Sequence, residues 1–314
     1  MDRRDFLRLS GLVTIPVAVP LLSSCASKPA AIKADPTKAA SSSAAAPGSA
    51  APGGSLQSLV NANSGRIEEV INAQAETLAS GNRVAFGLVN ANKPITGAKV
   101  TVYIGQDADK PPVATAPATW VQGEMAARAL YVAELAFPQA GDWLLGVSAT
   151  LPDGTVLGGG ASIAVLDKST SPVAGQPAIS VKTPTVGDPA GADPLCSDSP
   201  PCPMHALSLD AALKNGKPTV LTFSAPAYCE TELCGPVVRL IKNALPAYAD
   251  RYNFVHVEAY DKDDVKTLVQ PAKEWKLTSE PFTFFIDAKG IVKDRLPGAF
   301  GEAELAKRLQ ALES

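Results

Sequence analysis

The chain has 314 residues, 46% hydrophobic and 6% aromatic, with a formal net charge of −3. That length leaves room for about two ordinary domains with linkers. It has no Lys/Arg-rich run, which argues against nucleic acid as a partner, and no run of the ~20 apolar residues a membrane-spanning helix needs. Five cysteines occur: Cys25 alone, then two close pairs, Cys196/Cys202 and Cys229/Cys234.

Residues 1–24 have the build of an export signal: a basic start with Arg3 and Arg4, an apolar stretch from Leu12 to Leu22, and small residues before Cys25. Arg3-Arg4-Asp5-Phe6-Leu7 resembles the twin-arginine export signal. Leu22-Ser23-Ser24-Cys25 resembles a bacterial lipobox. The resemblance implies that Cys25 is lipidated as the mature N-terminus and anchors the chain on the extracytoplasmic face of the bacterial cell membrane. An ordinary cleaved signal with a coincidental cysteine is the alternative. Four thiols then remain in a compartment where disulfides persist. Residues 25–60, rich in Ala, Ser and Pro, bury too little apolar area to offset their ordering entropy and are predicted to be a disordered tether.

Apolar residues at Ile67, Val70, Ile71 and Leu78 predict a short lead-in helix over 65–78. The period then changes. Arg83–Val89, Ala98–Ile104, Ala129–Leu135, Trp143–Ala149 and Ser162–Leu166 are β-prone runs separated by Asn, Asp, Gly and Pro turns. Residues 61–168 are therefore expected to form a β-sandwich, similar in pattern to the immunoglobulin-like domains of bacterial surface proteins. This part contains no Cys or His, and either partner docking or a spacer role fits it. Residues 169–194, rich in Pro, Gly, Ala and Thr, are expected to be a linker.

Residues 195–314 alternate strand and helix signals. Pro218–Ser224 is a continuous apolar run, as for a buried strand. The cysteine loop follows. Pro236 then opens a helical stripe of Val237, Val238, Leu240, Ile241 and Leu245. Phe254–Glu258 reads as a strand, 263–276 as a helix interrupted near Pro271, and 282–286 and 291–295 as strands. Glu302–Leu312 reads as a closing helix. This order, the Cys-bearing loop before a helix, and the stretch from Pro281 to Leu309 resemble the thioredoxin-like fold of TlpA-like extracytoplasmic thiol–disulfide oxidoreductases. The resemblance implies an α/β thioredoxin-like domain in which Pro281 is a cis-proline facing the cysteine pair. It also implies protein thiols or disulfides as partners, with a possible membrane electron donor.

Cys229-Glu230-Thr231-Glu232-Leu233-Cys234 departs from the family's C-x-x-C. Counted from the strand, Cys229 stands where the family's attacking thiol sits. Counted from Cys234-Gly235-Pro236, Cys234 does. The preferred reading has Cys229 attacking, Cys234 resolving and Tyr228 covering the pair, since a helix N-terminus stabilises a thiolate. Glu230 and Glu232 are expected to oppose thiolate formation and lean the pair towards a reducing couple. Cys196 and Cys202, in a Pro-rich entrance, are read as a structural disulfide rather than an auxiliary redox pair. No cofactor is implied; the four paired cysteines and His205 could supply zinc ligands, and His256 is the one distant histidine for a copper site, but no metal is assigned. His205 is placed in the lead-in to the fold and His256 within a strand.

Other readings remain open. One is a non-enzymatic surface lipoprotein stapled by Cys229–Cys234, its β-domain binding a partner. Another is a Sco-like copper chaperone, although those sites use a three-residue spacer. A third is a peroxiredoxin-like peroxidase, although those enzymes place Thr or Ser where this chain has Pro226.

Overall fold

The computed structural model describes residues 53–81, 83–229 and 231–313. The export signal, Cys25 and Glu230 lie outside the described residues, as does most of the tether. No described helix is long and apolar enough to cross a membrane.

The first described element is helix α1 (Leu56–Asn61), capped by the Ser55 hydroxyl, which accepts the Ser58 N–H. Strands β1 (Gly65–Arg66), β2 (Glu69–Asn72), β3 (Arg83–Asn90), β4 (Lys93–Pro94), β5 (Lys99–Gly105) and β6 (Ala114–Trp120) follow. After a 3-10 turn (Gly123–Arg128) come β7 (Leu130–Glu134), β8 (Gly141–Thr150) and β9 (Val156–Val165). The spacing predicts two stacked sheets; hydrogen bonding instead runs unbroken along β1-β9-β8-β5-β6-β7-β3-β2, with β4 beside β3. Alternating residues such as Val84, Phe86 and Leu88 of β3 and Val100, Val102 and Ile104 of β5 fill the interior with Tyr131 and Trp143.

Residues 65–78 are not the expected helix. They hold β1 and β2, and β2 pairs antiparallel with β3, Glu69 opposite Val89. The long apolar β3 supplies a strand edge, and sheet pairing overrides the helical spacing of four apolar residues. The first half of β9 contains Gly158, Gly159 and Gly160 in succession. A Cβ on Gly158 would lie 2.0 Å from the Val60 carbonyl oxygen, and one on Gly159 2.6 Å from the Ile67 Cβ. Only glycine permits so close an approach of neighbouring backbone.

Among the described residues no helix or strand forms from 166 to 208, yet this stretch packs tightly. Val181 and Thr183 are buried. The Thr183 hydroxyl accepts the Leu209 N–H at 2.9 Å, and the Thr183 N–H donates to the Ser208 hydroxyl at 2.8 Å.

The C-terminal part comprises α2 (Leu209–Ala212), β10 (Thr219–Ser224), α3 (Cys234–Tyr248), β11 (Asn253–Glu258), β12 (Tyr260–Asp261), β13 (Asp264–Leu268), α4 (Gln270–Glu274), β14 (Phe282–Ile286), β15 (Val292–Pro297) and α5 (Glu302–Ala311). Its sheet runs β11-β10-β14-β15, with β10 and β11 parallel and β14 and β15 antiparallel to their neighbours. This is a thioredoxin-like α/β arrangement. Alternate sheet residues serve two cores. Val220 and Phe285 meet α3 and α5 on one face, and Leu221, Phe223 and Phe284 meet α2, α4 and Trp275 on the other. The helix expected over 263–276 is only α4, started by Pro271 in its first turn. Before it, the Asp264 carboxylate accepts the Lys266 and Thr267 N–H groups and shapes a β12–β13 hairpin.

The described residues form one unit. Ala73, Ala85, Met125 and Leu130 of the β-part share a core with Val237, Leu240, Phe300 and Leu305. The Arg83 guanidinium grips both Glu304 oxygens at 2.7 and 3.0 Å and the Ala299 carbonyl at 2.6 Å. Arg295 pairs with Glu76, both nearly buried.

Candidate functional site

β10 delivers the chain at Ser224 to a loop that ends where α3 begins. The Tyr228 and Cys229 N–H groups both donate to the Ala225 carbonyl at 3.0 Å, and the Glu232 N–H donates to the Cys229 carbonyl at 3.1 Å. These bonds turn Cys229 back towards the helix start, where Cys234 is the first residue. Cys234 is fully buried and Cys229 partly exposed, both as free thiols. Their sulfurs and a Glu280 oxygen all lie within 4.8 Å of one another. The Cys234 thiol donates to Glu280 Oε2, and Cys229 Sγ lies 3.2 Å from Thr231 Oγ1. Glu280–Pro281 is a cis peptide.

The three groups titrate against one another. Cys229 is lowered to about 5, first by the hydrogen bond from Cys234 and then by Thr231 and the Cys234 and Leu233 N–H groups, against the desolvation that raises it. Cys234 is pushed well up by burial, then by its bond to Cys229 and the negative field of Glu280. Glu280 is raised to about 8 by burial and by the charge of Cys229. These shifts favour the thiolate on the exposed sulfur and the protonated forms of the two groups behind it.

Sequence reasoning missed Glu280. Its signal is its position immediately before Pro281, which the fold sets against the cysteine loop. Glu232, expected to oppose the thiolate, pairs instead with Arg128 of the 3-10 turn. Tyr228, expected to cover the pair, makes no hydrogen bond to either sulfur among the described residues. Its phenol is shifted up by desolvation and then by the charges of Glu258, Asp193 and Asp261.

The expected Cys196–Cys202 disulfide is not formed. The sulfurs stand 3.7 Å apart, against about 2.05 Å for a bonded pair. The fold brings both histidines to them: His205, weighed with the cysteines as a zinc ligand, and His256, read as packing within its strand, stand against the same two sulfurs. Cys202 Sγ lies 3.4 Å from His205 Nε2 and 3.3 Å from His256 Nδ1. Beside them, Glu258 accepts the Ser197 N–H and hydroxyl, each at 2.8 Å, and burial raises it to about 7. The Ala227 N–H donates to Ser197 Oγ at 3.0 Å, so this cluster abuts the Cys229 loop.

No family model matches the chain, and no curated protein is similar to it. Among solved structures it is similar to MTB dsbF in mixed oxidized and reduced forms: 22% identity, covering 35% of this chain and 90% of that one, TM-score 0.29. It is also similar to a putative thiol:disulfide interchange protein DsbE from Chlorobium tepidum, at 16% identity, with 46% and 100% of the two chains covered and a TM-score of 0.33. For CopC from Methylosinus trichosporium OB3b the values are 14% identity, 32% and 98% covered, and TM-score 0.23.

Proposed function

We propose that this chain is a thiol–disulfide oxidoreductase working through Cys229 and Cys234. One observation carries the reading: a partly exposed cysteine sulfur stands beside a fully buried one at the start of α3, with a half-buried carboxyl hydrogen-bonded to the latter. The Cys229 thiolate attacks a substrate disulfide, forming a mixed disulfide and releasing one substrate thiolate. Glu280, when ionised, takes the Cys234 proton. The new Cys234 thiolate attacks Cys229 Sγ, closing the Cys229–Cys234 disulfide and releasing the second substrate thiolate. Two electrons have moved from the dithiol to the substrate, and the reverse sequence oxidises a substrate dithiol.

Stabilising the Cys229 thiolate favours the reduced form and makes the couple more oxidising, opposite to the lean expected from Glu230 and Glu232. The proposed setting is the extracytoplasmic membrane face, with Cys25 lipidated and a membrane partner restoring the pair. The test is the reduction potential of the full chain, combined with trapping. A value between about −120 and −270 mV and a stable mixed disulfide in Cys234→Ser support the reading. A value below about −300 mV, with no exchange with a model dithiol, refutes it.

A further inference from the structure

We infer that Cys196, Cys202, His205 and His256 form a closed, tetrahedral zinc(II) site. All four are buried, and their ligand atoms lie within 4.8 Å of one another. Bonds of about 2.3 Å to sulfur and about 2.05 Å to nitrogen at tetrahedral angles place the ligands about 3.8 Å (S–S), 3.5 Å (S–N) and 3.3 Å (N–N) apart. Here the two sulfurs are 3.7 Å apart. Three of the four sulfur-to-nitrogen distances are 3.7, 3.4 and 3.3 Å, the fourth is within 4.8 Å, and the two nitrogens are 3.1 Å apart. The side chains thus frame one ion at their centre.

The tautomer fits. His256 Nε2 lies 3.2 Å from the Ser224 carbonyl oxygen. A carbonyl only accepts, so Nε2 carries the proton and Nδ1 turns its lone pair to the cluster. Two thiolates and two imidazoles suit zinc, and four protein ligands leave no open position for a reacting water. Binding zinc displaces one proton from each thiol and needs no oxidant.

The ion fixes the 196–205 segment to β11 and, through His256 and Ser224, to the start of the Cys229 loop. It also occupies both sulfurs, keeping Cys196 and Cys202 out of exchange with the neighbouring pair.

The test is metal analysis of the full chain purified under reducing conditions, with cobalt(II) replacing the ion after chelation. The expected result is one zinc per chain, and tetrahedral ligand-field bands with thiolate-to-cobalt charge transfer. Cys196→Ser and His256→Ala should lose both, and Cys229→Ser should keep them. A thiol reagent should reach two more sulfurs only after chelation, a readout on the unmutated chain that does not depend on the variants folding. Failure of the reduced chain to bind zinc, copper in its place, or a Cys196–Cys202 disulfide in the exported protein would overturn the inference.

Discussion

Replacing Glu280 by Gln keeps the side chain's shape but removes its charge and its proton-accepting carboxylate. In the native chain the carboxyl is raised from 4.5 to about 8. Between those values the unfolded carboxyl has lost its proton while the folded one retains it. Stability therefore falls as pH rises from about 4.5, and the loss is complete above about 8. About 3.5 units at 1.36 kcal/mol each set a ceiling of about 5 kcal/mol. Solvent screening at the open edge of the site brings the expected figure to about 1–3 kcal/mol. At about 2–4 °C per kcal/mol for a body of this size, E280Q should melt several degrees above the reduced wild type at pH 8.5 and level with it at pH 4.5. The same variant should release substrate from the Cys229 mixed disulfide about 100-fold more slowly, and lose the rise in rate through about pH 8. Scanning fluorimetry and stopped-flow release measure the two effects. Matching melting profiles together with an unchanged release rate would refute the proton-acceptor role.

Alkylation of native Cys229 should rise with a midpoint near pH 5 while Cys234 stays unreactive; a midpoint near 9 would remove the stabilised thiolate. Because Cys229 is depressed on folding, its contribution to stability grows from about pH 5 to about pH 9 and is lost on acidification. Arg295→Ala strands the nearly buried Glu76 carboxylate and should cost about 3–5 kcal/mol by denaturant titration; a loss under 1 kcal/mol would show the pair to be solvated. Met125→Ala, at the centre of the shared core, should cost about 2–4 kcal/mol and lower a single unfolding transition. Two resolved transitions would mean that the two parts unfold independently.

The sequence was most readable where one interaction dominates. The β-branched runs at 83–89 and 98–104 lie in β3 and β5, and the unbroken apolar run at 218–224 covers β10. It misled where side chains carry little of the signal. β6 reads Ala-Thr-Ala-Pro-Ala-Thr-Trp, β9 carries three consecutive glycines in its first half, and β13 is mostly exposed. These strands exist because neighbours pair with them. The site divided in the same way. Cys229, Cys234 and Pro281 were visible because chain order alone puts a cysteine before a helix and a proline before a strand. Glu280 was not, and neither was the meeting of His256 with His205, because both arise only when elements 40 to 60 residues apart come together.

The Cys229 loop is shaped partly by residues a hundred positions upstream. Glu232 sits in the left-handed region at φ 55°, a conformation that disfavours a residue with a Cβ by about 1–2 kcal/mol. Its carboxylate is paired with Arg128, while Glu124 of the same 3-10 turn holds Arg239 of α3 at 3.2 Å. The β-part therefore acts as a clamp on both sides of the reactive helix end. A redox fragment cut free of that clamp would expose the apolar flank of α3 that Met125 covers. Any thiol reactivity measured on it would belong to a relaxed loop, so the two parts are best regarded as a single folded body.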